Sequence, residues 1–385
     1  MGRSGAIKLT TAMKQINLKL LIFCFFINCS GQSQTDNRLE LELDSTFNKI
    51  FKPNEPGAAV FIQQADRILY NKFFGLADLT TKERFTSNTV SNLGSVSKTF
   101  VAYAILILQS QGKLSVEDNL LKYFPEFKNK EIAAKIKIKD LLLHISGLPD
   151  RREIEKDSLF YLTAKDAENF KPITLTDTLE FEPETKWYYS NPAYNGLALI
   201  IEKVTREKWQ NFVVKNIFMP SGMTHSKITD GSYPENGVAH GYILKNNKWE
   251  EYDYGEYPTF AAAGNGGVWS SIEDLGKYVI SISEYKFLKK NQVDSSMQIL
   301  WTGQIFRSKD TMSRSLVWFI NKVYPSGDKK REPYTLIGHS GEQGGFMAYL
   351  TIIPEKKITI IWLTNRLKNL TPIIYGALHR LSYLE

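Results

Sequence analysis

The stretch Gly94-Ser95-Val96-Ser97-Lys98-Thr99-Phe100 runs directly into eight apolar residues, Val101 to Leu108, and this junction decides how the chain is interpreted. Because the eight residues are apolar on every side, we expect a fully buried helix that ends near Gly112. Ser95 then lies on the first turn, where free backbone N–H groups favour developing negative charge. Lys98 follows three residues later and therefore shares a helical face with Ser95.

A serine hydroxyl becomes a nucleophile only when a base lies beside it. Lys98 can be that base if burial or neighbouring charge lowers its pKa from about 10.4. The Ser-x-x-Lys pattern alone is weak, because it also occurs at Ser110/Lys113, Ser283/Lys286 and Ser326/Lys329. Only Ser95 opens a fully buried helix, so Ser95 is the candidate nucleophile.

Two further short elements follow downstream. Tyr189-Ser190-Asn191 is the one Tyr-x-Asn tripeptide of the chain, and it joins a phenol that can relay protons to an amide that can bind a substrate amide or ester. Gly338-His339-Ser340-Gly341-Glu342 precedes the last apolar segments, and its glycines would let a substrate lie close against a strand. Taken separately, each element could also be aromatic packing or a turn.

Strand patterns occur near both ends of the chain, and helical patterns fill most of the middle. The four clearest strands cover residues 57–62, 68–70, 346–353 and 358–363. An amphipathic helix is predicted at residues 38–51 and a final helix from about Pro372. The simplest architecture is an α+β fold in which both chain ends build one antiparallel sheet, flanked by helices, with an all-helical region inserted between them.

Composition excludes several classes of protein. Of the 385 residues, 43% are hydrophobic and 23% are charged, which excludes wholesale disorder, collagen and a polytopic membrane protein. The net charge is +7, and four of the excess positive charges lie in residues 1–33. The remaining near-balance of charge gives no reason to expect a nucleic acid as partner.

The cysteines and histidines do not predict a metal site. Both cysteines, Cys24 and Cys29, lie near the start, so the rest of the chain has no disulfide framework, zinc cluster or cysteine nucleophile. None of the five histidines forms a helical His-x-x-x-His pair. We therefore expect no bound metal.

Residues 1–33 have the layout of a secretory signal peptide. Lys14 and Lys19 precede the apolar run from Leu20 to Ile27, which is too short to span a bilayer as a helix. Cys29 stands where a bacterial lipoprotein carries its acylated cysteine, whereas Gly31-Gln32-Ser33 suits ordinary cleavage. We expect an exported protein that is either free in the periplasm or anchored to the membrane as a lipoprotein, with residues 34–385 as the mature domain.

Together, Ser95-x-x-Lys98, Tyr189-x-Asn191 and His339-Ser340-Gly341 resemble the three-element signature of the serine β-lactamase and penicillin-binding protein superfamily, in particular its class C-like branch. Further matching stretches lie at residues 56–60, 141–149, 266–275 and 361–365. The resemblance covers residues 40–380. It implies a β-lactamase/transpeptidase-like fold with the site in the cleft between sheet and helical region.

The resemblance also implies roles for the site residues. Ser95 would attack an acyl carbonyl and form an acyl-enzyme, with Lys98 and Tyr189 sharing its activation; which of the two is the base stays open. Asn191 would hold the amide side of the substrate, together with the strand His339-Ser340-Gly341. The N–H groups of Ser95 and Glu342 would form the oxyanion hole. No cofactor is implied, and the partner is a small-molecule or peptide substrate such as a cell-wall fragment.

Two positions depart from the family pattern. His339 stands where class C β-lactamases carry a lysine that attracts the antibiotic's carboxylate, and an unperturbed histidine is mostly neutral near pH 7. Glu184 stands where relatives often have glycine. We therefore expect an ester or D-amino-acid peptide hydrolase, with a β-lactamase or a non-catalytic binding protein for muropeptides or β-lactams as alternatives.

Overall fold

Strands from both ends of the chain meet in one antiparallel sheet. The computed structural model describes residues 37–150, 163–228, 237–252, 261–324, 330 and 332–384. Its strands are β1 Ala58–Gln64, β2 Arg67–Phe74, β3 Ser91–Asn92, β4 Lys227–Ile228, β5 Tyr242–Lys245, β6 Lys248–Glu251, β7 Val268–Ser270, β8 Trp301–Gln304, β9 Thr311–Arg314, β10 Phe319–Val323, β11 Tyr334–Gln343, β12 Phe346–Ile353 and β13 Ile358–Thr364. Eight of them form the sheet in the order β2-β1-β13-β12-β11-β10-β9-β8, which confirms the predicted fold class.

Helices flank this sheet and fill the middle of the chain. They are α1 Asn37–Ile50, α2 Ser97–Ser110, α3 Lys130–Lys135, α4 Ile138–Leu143, α5 Asp166–Thr174, α6 Asn191–Thr205, α7 Trp209–Val213, α8 Met219–Ser221, α9 Ile272–Ser283, α10 Lys290–Ser296 and α11 Thr371–Arg380. The part of the chain that is described between β3 and β4 contains α2 to α8 and no strand. It is the inserted helical region that the sequence predicts.

The two terminal helices pack together on the strands contributed by the chain ends. In β1, Ala59 pairs with Phe73 of β2 on one side and with Leu363 of β13 on the other. The apolar stripe of α1, which includes Leu43 and Phe47, is buried in the same cluster as residues of β1, β13 and α11. The amphipathic pattern at the start of the chain therefore anchors the edge of the sheet.

Helix α2 is the buried helix that its apolar sequence predicts. Its residues from Ser97 to Leu108 are all buried, and Phe100 stacks on Tyr278 of α9 at 4.3 Å between ring centres. The helix ends at Ser110, and Gly112 has the left-handed φ of +69° that glycine accommodates at such an end.

Strand β11 offers an open edge in the middle of the sheet. Strand β10 pairs with Tyr334–Gly338 only, whereas β12 pairs along residues 337–343. On the β10 side, His339–Gln343 therefore have no strand partner among the residues described. A strand edge of this kind can accept an extended substrate.

The sequence predicts that the chain is not a polytopic membrane protein and that residues 1–33 are a signal peptide. Within the described ranges, no helix is long and apolar enough to cross a bilayer. The predicted signal peptide at residues 1–33, with Cys29, lies outside the described residues.

Candidate active site

Ser95 lies on a short 3-10 turn, Gly94–Val96, that leads into α2, rather than on the first turn of the α-helix itself. Asn92 Oδ1 accepts a hydrogen bond from Gly94 N at 2.8 Å and fixes this entry. Gly94 has φ +48°, and an added Cβ would lie 2.7 Å from Glu342 N. Only glycine fits between the turn and β11, so the nucleophile turn lies directly against that strand.

Lys98 is completely buried one turn after Ser95. Its Nζ donates to Ser95 Oγ at 3.0 Å, to Asn191 Oδ1 at 2.8 Å and to the backbone oxygen of Asn265 at 2.6 Å. An ammonium group has three N–H donors, and each has an acceptor here. The ammonium also lies 5.1 Å from the ring centre of Tyr189, within the range of a cation–π contact.

Tyr189 is the second side chain that contacts the Ser95 hydroxyl. Its OH donates to Ser95 Oγ at 2.7 Å. The next residue, Ser190, caps α6 by accepting from Ala193 N at 3.2 Å, and Ser190 N donates to His144 Nδ1 at 3.2 Å. The ring of His144 lies 4.5 Å from that of Tyr189. His144 therefore orients Tyr189, whereas the hydrogen bonds to Ser95 Oγ described here come from Lys98 and Tyr189.

Gly341 lets β11 pass unusually close to the nucleophile turn. A Cβ at this position would lie 2.0 Å from Leu93 O and 2.8 Å from Ser95 N. Since Gly94 likewise lies against Glu342 N, the two glycines bring the backbone N–H groups of Ser95 and Glu342 together. The main-chain nitrogens of the two residues that the sequence predicts for an oxyanion hole therefore lie close together.

His339 is turned inward, whereas its neighbours on β11 face solvent. His339 is only 3% exposed, and its Nδ1 donates to Ser340 O at 2.7 Å. Burial, reinforced by the charges of Arg314 and Lys98, holds the pKa of His339 well below 6.5. The imidazole is therefore neutral, while Ser340 and Glu342 are exposed.

Asn265 is a site residue that the sequence did not predict. Its contribution is a main-chain carbonyl, which no side-chain pattern reveals. Asn265 Oδ1 accepts from Asn195 Nδ2 at 3.2 Å, and Asn195 Nδ2 also donates to Asp166 Oδ1 at 2.7 Å. Asp166 Oδ1 also accepts from Gly264 N at 2.8 Å, so the buried Asp166 holds the loop that contains Gly264 and Asn265 beside Lys98. Burial raises the pKa of Asp166 to about 7, although these donors stabilise the carboxylate.

Glu184 adopts a backbone conformation that glycine adopts more readily than other residues. Its φ is +67°, in the left-handed region. Its carbonyl accepts from Trp301 Nε1 at 2.9 Å, and its carboxylate lies 3.0 Å from Lys139 Nζ. These contacts hold the loop before Tyr189 in place despite the unfavourable φ.

No candidate metal centre occurs near these residues. In the ranges that the structure describes, no group of three or more histidine, cysteine, aspartate or glutamate side chains could hold a metal ion. The two histidines beside the site, His144 and His339, each use Nδ1 in a hydrogen bond within the protein.

Comparison with known proteins identifies relatives along nearly the whole chain. The sequence profile of the Beta-lactamase family matches residues 43–384. A penicillin-binding protein of Bacillus subtilis (strain 168) is 25% identical over 347 residues, which cover 84% of this chain and 71% of that protein. Protein flp of Staphylococcus aureus (strain NCTC 8325 / PS 47) is 24% identical over 341 residues, 87% of this chain and 63% of its own length. This chain thus spans less than two thirds of flp.

Solved structures share the fold. The octameric penicillin-binding protein homologue from Pyrococcus abyssi superposes with a TM-score of 0.72 at 24% identity, covering 90% of this chain and 77% of that one. The D-amino acid amidase from Ochrobactrum anthropi SV3 gives 0.71 at 19% identity, covering 91% and 98%. With the match over residues 43–384, these likenesses lead to one conclusion: the chain belongs to the Beta-lactamase family.

Proposed function

We propose that this protein is an exported serine hydrolase that forms an acyl-enzyme at Ser95 and cleaves esters or D-amino-acid amides and peptides. The observation that carries the proposal is the position of Ser95 Oγ, 3.0 Å from Lys98 Nζ and 2.7 Å from Tyr189 OH. A hydroxyl held between two groups that can exchange protons is the arrangement that nucleophilic catalysis needs.

The reaction would proceed in two stages at Ser95. Its Oγ attacks the acyl carbonyl, and the Ser95 proton passes to Tyr189 or Lys98 and then to the leaving amine or alcohol as that bond breaks. The N–H groups of Ser95 and Glu342 would stabilise the negative oxygen. Water then attacks the acyl-enzyme, Ser95 recovers a proton, and the acid leaves.

Asn191 and the open edge of β11 would hold the substrate. Asn191 Oδ1 is occupied by Lys98, which leaves the Nδ2 group to donate to a substrate carbonyl. Residues His339–Gln343 have no strand partner on the cleft side within the described residues, so a peptide-like substrate could pair there.

The charge of β11 favours substrates other than β-lactams. The buried neutral His339 offers no cation for an antibiotic's carboxylate, and the exposed Glu342 would repel one. The fold accommodates cleavage of a D-amino acid amide in the Ochrobactrum enzyme, which is compatible with this preference. Esters and D-amino-acid amides, which carry no free carboxylate beside the scissile bond, are therefore the fitting substrate class.

The test is intact-mass analysis with a fluorescent penicillin, alongside turnover of p-nitrophenyl acetate, a D-amino-acid amide and nitrocefin. We expect wild type to hydrolyse the ester and the amide and to form an adduct, and Ser95→Ala to do neither. Ser110→Ala is the matched control, because Ser110 begins another Ser-x-x-Lys and its hydroxyl donates to a main-chain oxygen of its own helix, Ile107 O. Adduct formation without turnover would favour the binding-protein alternative, and dominant nitrocefin hydrolysis would favour a β-lactamase.

Export is part of the proposal and rests on residues 1–33. Their lysines and short apolar run support a signal peptide, and Cys29 supports a lipid anchor as one form of the mature protein. Fractionation of a bacterial host that expresses wild type or Cys29→Ala would test both points. Transfer of only the wild type to the membrane fraction would support the anchor, and retention of both in the cytoplasm would contradict export.

A further inference from the structure

Arg314, at the end of β9, is a fully buried cation with no carboxylate partner among the described residues. Its guanidinium lies 3.9 Å from the ring centre of Phe319, and Nη2 donates to Leu142 O at 3.4 Å. Nε and Nη1 have no hydrogen-bond partner, and no carboxylate in the described part of the chain lies within ion-pair distance. By contrast, the buried Arg366 pairs with Glu55 at 3.2 Å.

An unpaired buried charge is costly, so its surroundings indicate what it could do. Tyr194 OH donates to the same carbonyl, Leu142 O, at 3.0 Å. The ring of His144 lies 5.1 Å from Tyr194 and 4.5 Å from Tyr189. Phe319, on which Arg314 lies, stacks on the ring of Tyr189 at 6.5 Å between ring centres. A layer of aromatic rings, formed by Phe319, Tyr194 and His144, therefore lies between Arg314 and the candidate active site.

Within the described ranges, the titratable and charged side chains that act on Arg314 and on the two histidines of this layer are all close to the site, and none of them is acidic. They are Tyr189, Tyr194, His144, His339 and Lys98. Burial, with the charges of Arg314 and Lys98, holds the pKa of both histidines well below 6.5. Of these side chains, only the phenols of Tyr189 and Tyr194 can become negatively charged, and a neighbouring positive charge would favour that ionisation.

Of the two phenols, Tyr189 is the one that contacts Ser95. The OH of Tyr194 is fully buried and donates to Leu142 O. Burial raises the pKa of Tyr194 to about 12, so it stays neutral. Burial lowers the pKa of Arg314, and the negative charges of ionised Tyr194 and, less strongly, of ionised Tyr189 would oppose that effect, so Arg314 lies within electrostatic reach of both phenols.

We propose that Arg314 is a positioning residue that supplies, from behind the aromatic layer, the positive charge that the His339 element lacks, and so stabilises the ionised phenol of Tyr189. This inference rests on the proposed hydrolase mechanism. The phenolate oxygen would take the Ser95 proton as the Oγ–carbonyl bond forms, then give it to the leaving group and return to the ionised form.

The test is an ultraviolet titration of the phenolate in wild type and in Arg314→Met, each compared with the same protein carrying Tyr189→Phe. We expect Tyr189 to ionise well below its ordinary pKa of about 10 in wild type. In Arg314→Met the midpoint should rise by about 1 pH unit or more, because one of the two buried cations beside the aromatic layer, Arg314 and Lys98, has been removed. The acid limb of kcat/KM for p-nitrophenyl acetate should move upward by the same amount, and Arg314→Lys should restore both.

The control and the contrary outcomes are equally specific. Arg366→Met is the control, because it also removes a buried arginine, but one that is paired with Glu55. It should leave the phenolate titration unchanged. An unshifted midpoint in Arg314→Met overturns the proposal, as does ionisation of Tyr189 near 10 in wild type, a result that needs no Arg314 variant. A low phenolate midpoint in a protein without hydrolase activity would instead refute the proposed function and leave the role of Arg314 standing.

Discussion

Replacing Gly341 with alanine tests whether the close approach of β11 builds the oxyanion hole. The new Cβ would lie 2.0 Å from Leu93 O and 2.8 Å from Ser95 N, whereas real Cβ atoms essentially never approach within 3.0 Å. Leu93 cannot retreat easily, because its N donates to Val268 O at 3.0 Å and its O accepts from Val96 N at 3.2 Å. The strand itself must therefore move away.

The displacement sets the expected magnitude. Restoring ordinary contact requires β11 and the nucleophile turn to separate by about 1 Å, and a misplacement of that size can cost about 10²-fold in rate. Losing one oxyanion donor costs a similar factor, so kcat should fall by about 10²-fold, or about 2.7 kcal/mol. KM should change little, because the donors act on the transition state.

Steady-state hydrolysis of p-nitrophenyl acetate, with thermal unfolding followed by circular dichroism, measures both parts of this prediction. Gly276→Ala is the matched control, since an added Cβ there would meet nothing within 4 Å and lies inside α9. It should keep full activity and gain up to about 1 kcal/mol of stability. If Gly341→Ala retains kcat within roughly threefold of wild type, the close approach is not what aligns the donors.

Three further substitutions separate stability from catalysis. Leu43→Ala should lower the free energy of unfolding by about 2–5 kcal/mol in urea titrations, with kcat unchanged, because Leu43 is fully buried in the cluster under α1. Burial raises the pKa of Asp140 from 3.8 to about 7, so its contribution to stability is present at low pH and is lost as the pH rises through that range. Asp140→Asn should therefore become more stable relative to wild type as the pH rises between 3.8 and about 7, with a difference in the free energy of unfolding of at least about 1 kcal/mol above pH 7. Equal slopes of stability against pH in the two proteins would contradict this. Asn191→Ala should reduce kcat/KM for a D-amino-acid amide about tenfold more than for p-nitrophenyl acetate, if Asn191 Nδ2 binds the substrate amide.

The sequence predicted those features that repeat along the chain or combine side chains of distinctive chemistry. The apolar run after Lys98 predicted the burial of α2, since a helix that is apolar on all sides has no face for solvent. The paired strand patterns predicted a sheet built by both ends of the chain. The order of the three short elements predicted the family. It also identified Ser95, Lys98 and Tyr189, which the fold brings within hydrogen-bond distance.

Only the tertiary structure decided the features that depend on proximity between distant segments. The acceptor that Asn265 offers to Lys98 is a main-chain oxygen, which looks the same at every position of a sequence. The need for glycine at Gly341 arises because Leu93 O lies where a Cβ would be. The buried charge of Arg314 likewise follows from the helical region folding over β9 and leaving it no carboxylate among the described residues. Side-chain identity and period are local properties of a chain, whereas the burial, close contact and electrostatic environment of a group depend on which other segments pack against it.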